Sequence, residues 1–272
     1  MKRYVLGIDQ STQGTKALLF DDEGGLLERA DLPHRQIINE QGWVSHDPEE
    51  IYANTLQVIR NVVEKAGISP SEIAAMGISN QRETSVAFDR SGHPVADAIV
   101  WQCSRAEKIC RRVQEAGFSE AIRTATGLQL SPYFPASKFA WFLENVPEAA
   151  ELSKAGNLLF GTMDTYLIYR LTKGREFRTD YSNASRTQLF NIFTLEWDPE
   201  ICRMFGIQEA SLPKVTDSDA LFGMTDLEGY LPAPIPICGV LGDSHAALFG
   251  QGCHEKGMVK ATYGTGSSIM MN

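Results

Sequence analysis

Tyr4-Val-Leu-Gly-Ile-Asp9, followed by Gln10-Ser-Thr-Gln-Gly-Thr15 and Lys16-Ala-Leu-Leu-Phe20, reads as a strand ending on a carboxylate, a polar turn and a second strand. Asp21-Asp-Glu-Gly-Gly25 supplies the next turn, so residues 3–9, 15–21 and 25–31 are expected to form a three-stranded meander. The same design returns late in the chain, in Gly239-Val-Leu-Gly-Asp-Ser-His-Ala-Ala-Leu-Phe-Gly250. There an apolar strand over 235–241 gives way to a small-residue helix over 244–251, with Asp243 at the junction. A second strand over 258–263 then runs into the glycine turn Gly264-Thr-Gly266. Two strand-end carboxylates and two turns rich in hydroxyls and glycine point to phosphate chemistry with a metal and a base.

Between these ends, Asp47-Pro48-Glu-Glu50 is a helix start: a capping carboxylate, proline at the first helical position and glutamates at the positive end of the dipole. Ile51, Thr55, Val58, Ile59, Val62 and Val63 share one stripe, and Gly67 ends the helix. Strands are expected over 73–79 and 84–89, with Arg90-Ser-Gly-His93 closing the second. Beyond Trp101 the pattern turns helical, at roughly 104–116, 118–125, 136–145 and 161–171. That texture predicts a helical insertion into an α/β core with a mixed sheet, rather than a purely parallel dinucleotide fold. The chain stops at Met270-Met-Asn272 directly after a strand, as expected of the first half of a longer polypeptide.

Bulk properties narrow the function. The chain has 272 residues, 43% of them hydrophobic, and a net charge of −9 without a basic run, which argues against nucleic acid or anionic lipid as partner. No apolar stretch is long enough for a membrane helix or a secretory signal. The five cysteines form no CxxC pair and read as buried free thiols of a reducing cytoplasm. The five histidines lack metal-ligand spacing, so a zinc site is not expected. There is no GxxxxGK[ST] loop and no GxGxxG opening a helix.

Several segments could carry chemistry, and each has a plainer alternative. Asp9 with the turn to Thr15 fits a hydrated Mg²⁺ beside phosphate oxygens, or an ordinary polar hairpin. In Ser79-Asn-Gln-Arg-Glu-Thr84, Arg82 and Glu83 could orient vicinal hydroxyls, or form a solvated ion pair. Trp101 and Tyr133 could wall a small polar pocket, or belong to the core. Thr179-Asp-Tyr-Ser-Asn-Ala-Ser-Arg186 reads as a buried polar network, a binding loop or a plain loop. Gly242-Asp-Ser-His245 also admits an esterase reading, with Ser244 as nucleophile and Asp31-x-x-His34 as the partner pair.

Taken together, Gly7-Ile-Asp-Gln, Asn80-Gln-Arg-Glu-Thr84, Ile99-Val-Trp-Gln-Cys103, Gly161-Thr-Met-Asp-Thr165, Asp180-Tyr-Ser-Asn-Ala-Ser-Arg-Thr187, Leu189-Phe-Asn-Ile192 and Thr262-Tyr-Gly-Thr-Gly266 resemble the FGGY family of carbohydrate kinases. The glycerol-kinase branch is most similar, while Ser11-Thr-Gln-Gly-Thr-Lys16 looks more like the xylulose-kinase side. The resemblance implies a ribonuclease-H-like fold of the actin and hexokinase type. It makes residues 1–272 the N-terminal domain, with the nucleotide-binding C-terminal domain absent from the chain. It implies ATP and Mg²⁺ as cofactors, a polyol or sugar as acceptor and, as in related kinases, a possible homo-oligomer. By analogy Asp243 is the general base and Asp9 the magnesium residue. Thr12, Gln13, Gly264, Thr265 and Gly266 fall at the nucleotide phosphates, and Arg82, Glu83, Trp101, Tyr133, Asp243 and Ser244 surround the acceptor. The chain departs from the glycerol-kinase pattern at Ser244-His245, where glutamine usually follows the base, and at Ser267-Ser268, where an aromatic usually walls the pocket. Those departures leave a tetritol or a pentulose as competing substrates, and an isolated half-protein is expected to be inactive.

Overall fold

The structure, a computed structural model, describes residues 3–263 and 267–272. Its first half comprises β1 (Tyr4–Gln10), β2 (Gly14–Phe20), β3 (Leu26–Pro33), β4 (Ile37–Ile38), β5 (Val44–His46), α1 (Pro48–Ala66), β6 (Ile73–Asn80), β7 (Ser85–Asp89) and β8 (Ala98–Ile99). Four helices follow, α2 (Glu107–Glu115), α3 (Ser119–Thr126), α4 (Pro135–Asn145) and α5 (Pro147–Lys154), then β9 (Leu158–Thr162) and α6 (Met163–Leu171). Short elements come next: β10 (Arg178–Asp180), α7 (Tyr181–Ala184), β11 (Phe190–Asn191), β12 (Glu196–Trp197), α8 (Pro199–Met204), β13 (Lys214–Thr216) and β14 (Met224–Thr225). The chain closes with β15 (Ile235–Gly242), α9 (Asp243–Gly250), β16 (Val259–Tyr263) and β17 (Ser267–Met271).

The main sheet has six strands in the order β14-β15-β6-β1-β2-β3. The expected meander, β1 to β3, is antiparallel, and so is the edge pair β14 and β15. The parallel part is β15, β6 and β1, and here the register positions the chemistry. Gln10 pairs with Asn80, and Asn80 pairs with Gly242, so three strand ends finish level along one edge. A parallel neighbour needs a crossover, and α1 supplies the one between the meander and β6. Ile51, Val58, Ile59 and Val62 are fully buried on this helix, in one core with Leu6 and Ile8 of β1 and Ala17 and Leu19 of β2. The alternation in β1 leaves Val5 and Asp9 on the opposite, more open face.

A second, antiparallel sheet runs in the order β4-β5-β8-β7-β9 and packs with α2 and α4 around a second core that includes Val100, Phe139, Phe142 and Phe160. The stretch 161–171, expected as one helix, is divided. Leu158–Thr162 pairs with β7 as a buried strand, and the helix starts only at Met163. A short apolar run cannot be told from a buried helix by periodicity. α5, which follows α4 after a single residue, also lies outside the expected pieces. All five cysteines are free, but Cys238 is exposed and Cys253 half-buried, so only Cys103, Cys110 and Cys202 match the expectation of buried thiols. The hairpin β16–β17 pairs with itself and joins neither large sheet. Among the described residues no helix is long and apolar enough to cross a membrane.

The α1 cap is a local test of this reading. Asp47 accepts hydrogen bonds from the backbone N–H of Glu49 at 2.9 Å and of Glu50 at 3.4 Å. Asp47→Ala removes both and is expected to cost about 1 kcal/mol. Urea unfolding would register a lower midpoint at unchanged slope; an unchanged midpoint contradicts the capping role.

Candidate active site

Each of the three level strand ends hands a polar segment to one side of the sheet. After β6 the chain cannot continue as a strand, because Glu83 takes a left-handed backbone with φ of 61°. Such a conformation is costly for a residue with a Cβ and persists only where the surroundings impose it. The surroundings here are a network. Gln81 donates to Gln10 Oε1 at 3.1 Å and accepts from Thr84 Oγ1 at 2.8 Å. Glu83, almost wholly buried, accepts from Arg186 Nε at 2.6 Å. The turn therefore points Arg82 one way and Glu83 the other.

Arg82 Nε donates to Asp243 Oδ1 at 3.1 Å, and Arg82 Nη2 donates to Ser244 Oγ at 3.1 Å. The backbone N–H of Ser244 also donates to Asp243 Oδ1. Asp243 Oδ2 has no hydrogen-bond partner among the described residues, and the side chain is 42% exposed. Gly242 is required for this approach, since a Cβ there would lie 2.6 Å from Arg82 Cγ and Cδ. The neighbouring His245 imidazole is pushed down to about 4 by burial and by the adjacent Arg82 guanidinium. It is neutral at pH 7 and adds no charge beside Asp243.

On the far side, Trp101 Nε1 donates to Thr12 Oγ1 at 2.9 Å, and the Trp101 and Tyr133 rings lie 5.5 Å apart. Burial, with the nearby Glu83 carboxylate, raises the Tyr133 hydroxyl above its ordinary range, so it is a neutral donor. The cavity enclosed between the two sides has a volume of about 440 Å³. Thr12, Arg82, Glu83, Trp101, Tyr133, Asp243 and Ser244 all line it, joined by Gln81, Arg186 and Ser268.

Asp9 lies on the same strand-end edge but outside this lining. It accepts from Lys16 Nζ at 2.8 Å and from Ser79 Oγ at 3.4 Å. With β6 between β1 and β15, the ends carrying Asp9 and Asp243 are about 10 Å apart from strand spacing alone. Gln13 belongs to a different groove, shared with Lys16, Arg29 and Asp31. Gly264, Thr265 and Gly266 lie outside the described residues. No group of three or more His, Cys, Asp or Glu arranged to hold a metal occurs among the described residues. The esterase trio is not assembled: Ser244 is held by Arg82, Asp31 pairs with Arg29, and His34 is buried against His46.

Behind the cavity, the segment 179–186 forms a buried polar network. Asn80 and Asn183 exchange amide hydrogen bonds at 2.9 and 3.0 Å. Asp180 caps α7 and accepts from Ser218 Oγ at 2.7 Å. Ser182 Oγ accepts from the backbone N–H of Gly242 at 2.8 Å, which fixes the residue before Asp243. Arg186 and Gln81 line the cavity and Lys16 pairs with Asp9, and the sequence reading singled out none of the three. Arg186 carried a usable signal, as the sole cation in the polar run it closes.

The model of the FGGY family of carbohydrate kinases, N-terminal domain, matches residues 4–250. The chain belongs to that family. It is 52% identical to glycerol kinase 1 of Thermotoga maritima over 99% of its own length and 55% of that protein's. It is 49% identical to the glycerol kinase of Treponema denticola, again over 55% of that protein. Among solved structures, Plasmodium falciparum glycerol kinase with ADP superposes with a TM-score of 0.92 at 35% identity, over 99% of this chain and 54% of that one. A Lactobacillus acidophilus xylulose kinase shares the fold, with a TM-score of 0.87 at 23% identity. The FGGY chain described here thus spans about half the length of the curated relatives it matches. Its fold is the ribonuclease-H-like one of carbohydrate kinases, with the mixed sheet and flanking helices expected.

The network makes a prediction about pH. Burial, with Asp180 nearby, pushes the Asp164 carboxyl up to about 7, although Thr162 and Thr179 donate to it. Between pH 4 and 7, roughly, the folded chain holds a proton that the unfolded chain has released, so this group's contribution to stability falls as pH rises through that window. Asp164→Asn cannot titrate and should flatten that slope. Urea unfolding at pH 5 and pH 8 checks it; equal losses in parent and variant contradict the assignment.

Proposed function

We propose that this FGGY chain carries the acceptor half of an ATP-dependent kinase that phosphorylates a primary hydroxyl of a polyol, with glycerol the first candidate. The observation that carries the reading is Asp243, which lines the polar cavity with one oxygen tied to Arg82 and the other without a hydrogen-bond partner among the described residues. Sequence identity near one half to proteins named glycerol kinase supports the substrate class. The departures at Ser244-His245 and Ser267-Ser268 keep a tetritol and a pentulose in the substrate screen.

In this mechanism the acceptor hydroxyl lies over Asp243 Oδ2, which takes its proton as the oxygen attacks the terminal phosphoryl of ATP and the bond from that phosphorus to the bridging oxygen breaks, releasing ADP. Arg82 holds Asp243 Oδ1 and so aims the second oxygen at the acceptor. Glu83 accepts from a substrate hydroxyl, Arg82 and Arg186 donate, and Trp101 and Tyr133 cover the carbon backbone. Asp243 is 42% exposed in this half, so the second domain is assigned the exclusion of water, which would otherwise compete for the phosphoryl group.

A Mg²⁺ ion, when bound, neutralises charge on the phosphates. The donor chemistry fits: Asp9 is a strand-end carboxylate, 32% exposed, whose oxygens can hold a hydrated ion. Lys16, bonded to Asp9, adds a cation at the same edge. Thr12, Gln13, Gly264, Thr265 and Gly266 are assigned to the phosphate side, where hydroxyls and glycine backbone N–H groups bind anions. Thr12, bonded to Trp101, links that side to the acceptor wall.

Residues 1–272 are assigned to an N-terminal domain, and the adenosine pocket to a second domain corresponding to the remaining half of the relatives. Residues 1–272 alone should therefore have negligible activity. A cytoplasmic location supplies the ATP, and free thiols suit a reducing compartment.

In the full protein, Asp243→Asn is expected to lower kcat by roughly 10²- to 10⁴-fold, as for a lost general base, with little change in polyol KM. A coupled ADP-release assay over glycerol, erythritol and xylulose reads both the role and the substrate. Turnover near the parent's would refute the assignment of Asp243.

A further inference from the structure

Lys138 lies on the second turn of α4, and its side chain is fully buried. Its Nζ donates to the carbonyl oxygen of Tyr133 at 2.5 Å and to that of Trp101 at 3.3 Å. These residues come from separate parts of the chain: Trp101 follows β8, and Tyr133 ends the loop before α4. Their rings form one wall of the cavity. Lys138 itself does not line the cavity, and among the described residues no carboxylate touches its Nζ.

We propose that Lys138 is a positioning residue of the acceptor pocket, joining the main chain at Trp101 to that at Tyr133 so that the two rings keep the spacing a polyol needs. The inference rests on the pocket reading given above. Packing alone does not account for the residue, because burying an ammonium group is expensive and an apolar side chain of similar length would fill the space without that cost. The two main-chain carbonyls, on half-buried residues, take their side-chain donor from one amine. Burial lowers the Lys138 ammonium to about 7, opposed by the Glu83 carboxylate. Charged or neutral, the amine keeps at least two N–H groups, so the bridge survives the titration.

The test uses the full protein with glycerol and ATP as probes. Lys138→Met keeps the length and removes the donors, leaving two carbonyls unpartnered. Glycerol KM should rise about 10-fold while ATP KM stays within about twofold. Lys138→Gln, which retains an NH₂ on a shorter stem, should fall between parent and Lys138→Met. Tyr133→Ala separates this inference from the pocket reading. If Tyr133→Ala raises glycerol KM and Lys138→Met does not, the positioning role is overturned and the pocket stands. If Tyr133→Ala leaves glycerol KM unchanged, the pocket reading fails and the inference fails with it. Equal rises in both KM values, or loss of soluble protein with both Lys138 variants, would make the lysine a general structural residue and also overturn the proposal.

Discussion

Asn80 and Asn183 exchange a pair of amide hydrogen bonds in a site without solvent exposure, and the candidate site is hung on that exchange. Asn80 ends the central parallel strand, in register with Gln10 on one side and Gly242 on the other. Asn183 sits on α7, which is capped by Asp180 and whose Ser182 accepts from the Gly242 N–H of β15. Breaking one member strands its partners without water to replace them, and an unsatisfied buried polar group costs about 1–3 kcal/mol. The network therefore works as a level: it holds three strand ends, and the side chains they carry, at one height.

The two cores divide the labour. One joins the six-stranded sheet to α1 and α6 and fixes the strand-end edge. The other joins the antiparallel sheet to α2 and α4 and carries the aromatic wall of the cavity. The cavity lies where the two meet, with Asp243 and Arg82 from the first and Trp101 and Tyr133 beside the second.

Features set by neighbouring residues are legible in the sequence. The Asp47 cap, the proline at the next position and Gly67 delimit α1 as expected, because each acts on its own backbone. The meander and the Asp243 junction were equally legible, since turns and strand ends are written in neighbouring residues. What escaped depends on distant partners. Arg186 meets Glu83 across 103 residues, and Lys138 meets Trp101 across 37. β9 is a strand because β7 lies beside it, not because its composition differs from a buried helix.

Two guanidinium groups, on Arg82 and Arg186, face two carboxylates, on Glu83 and Asp243, around the same cavity, and the imidazole nearby is uncharged. The ionic count of the chamber closes at zero. An electrically neutral guest rich in hydroxyls can then exchange hydrogen bonds with the lining and leave every ion with its counterpart. An acidic guest would have to take a guanidinium from its present partner and would leave a carboxylate in the wall uncompensated. Among the described residues, the charged groups of the lining thus pair with one another, Arg82 with Asp243 and Arg186 with Glu83.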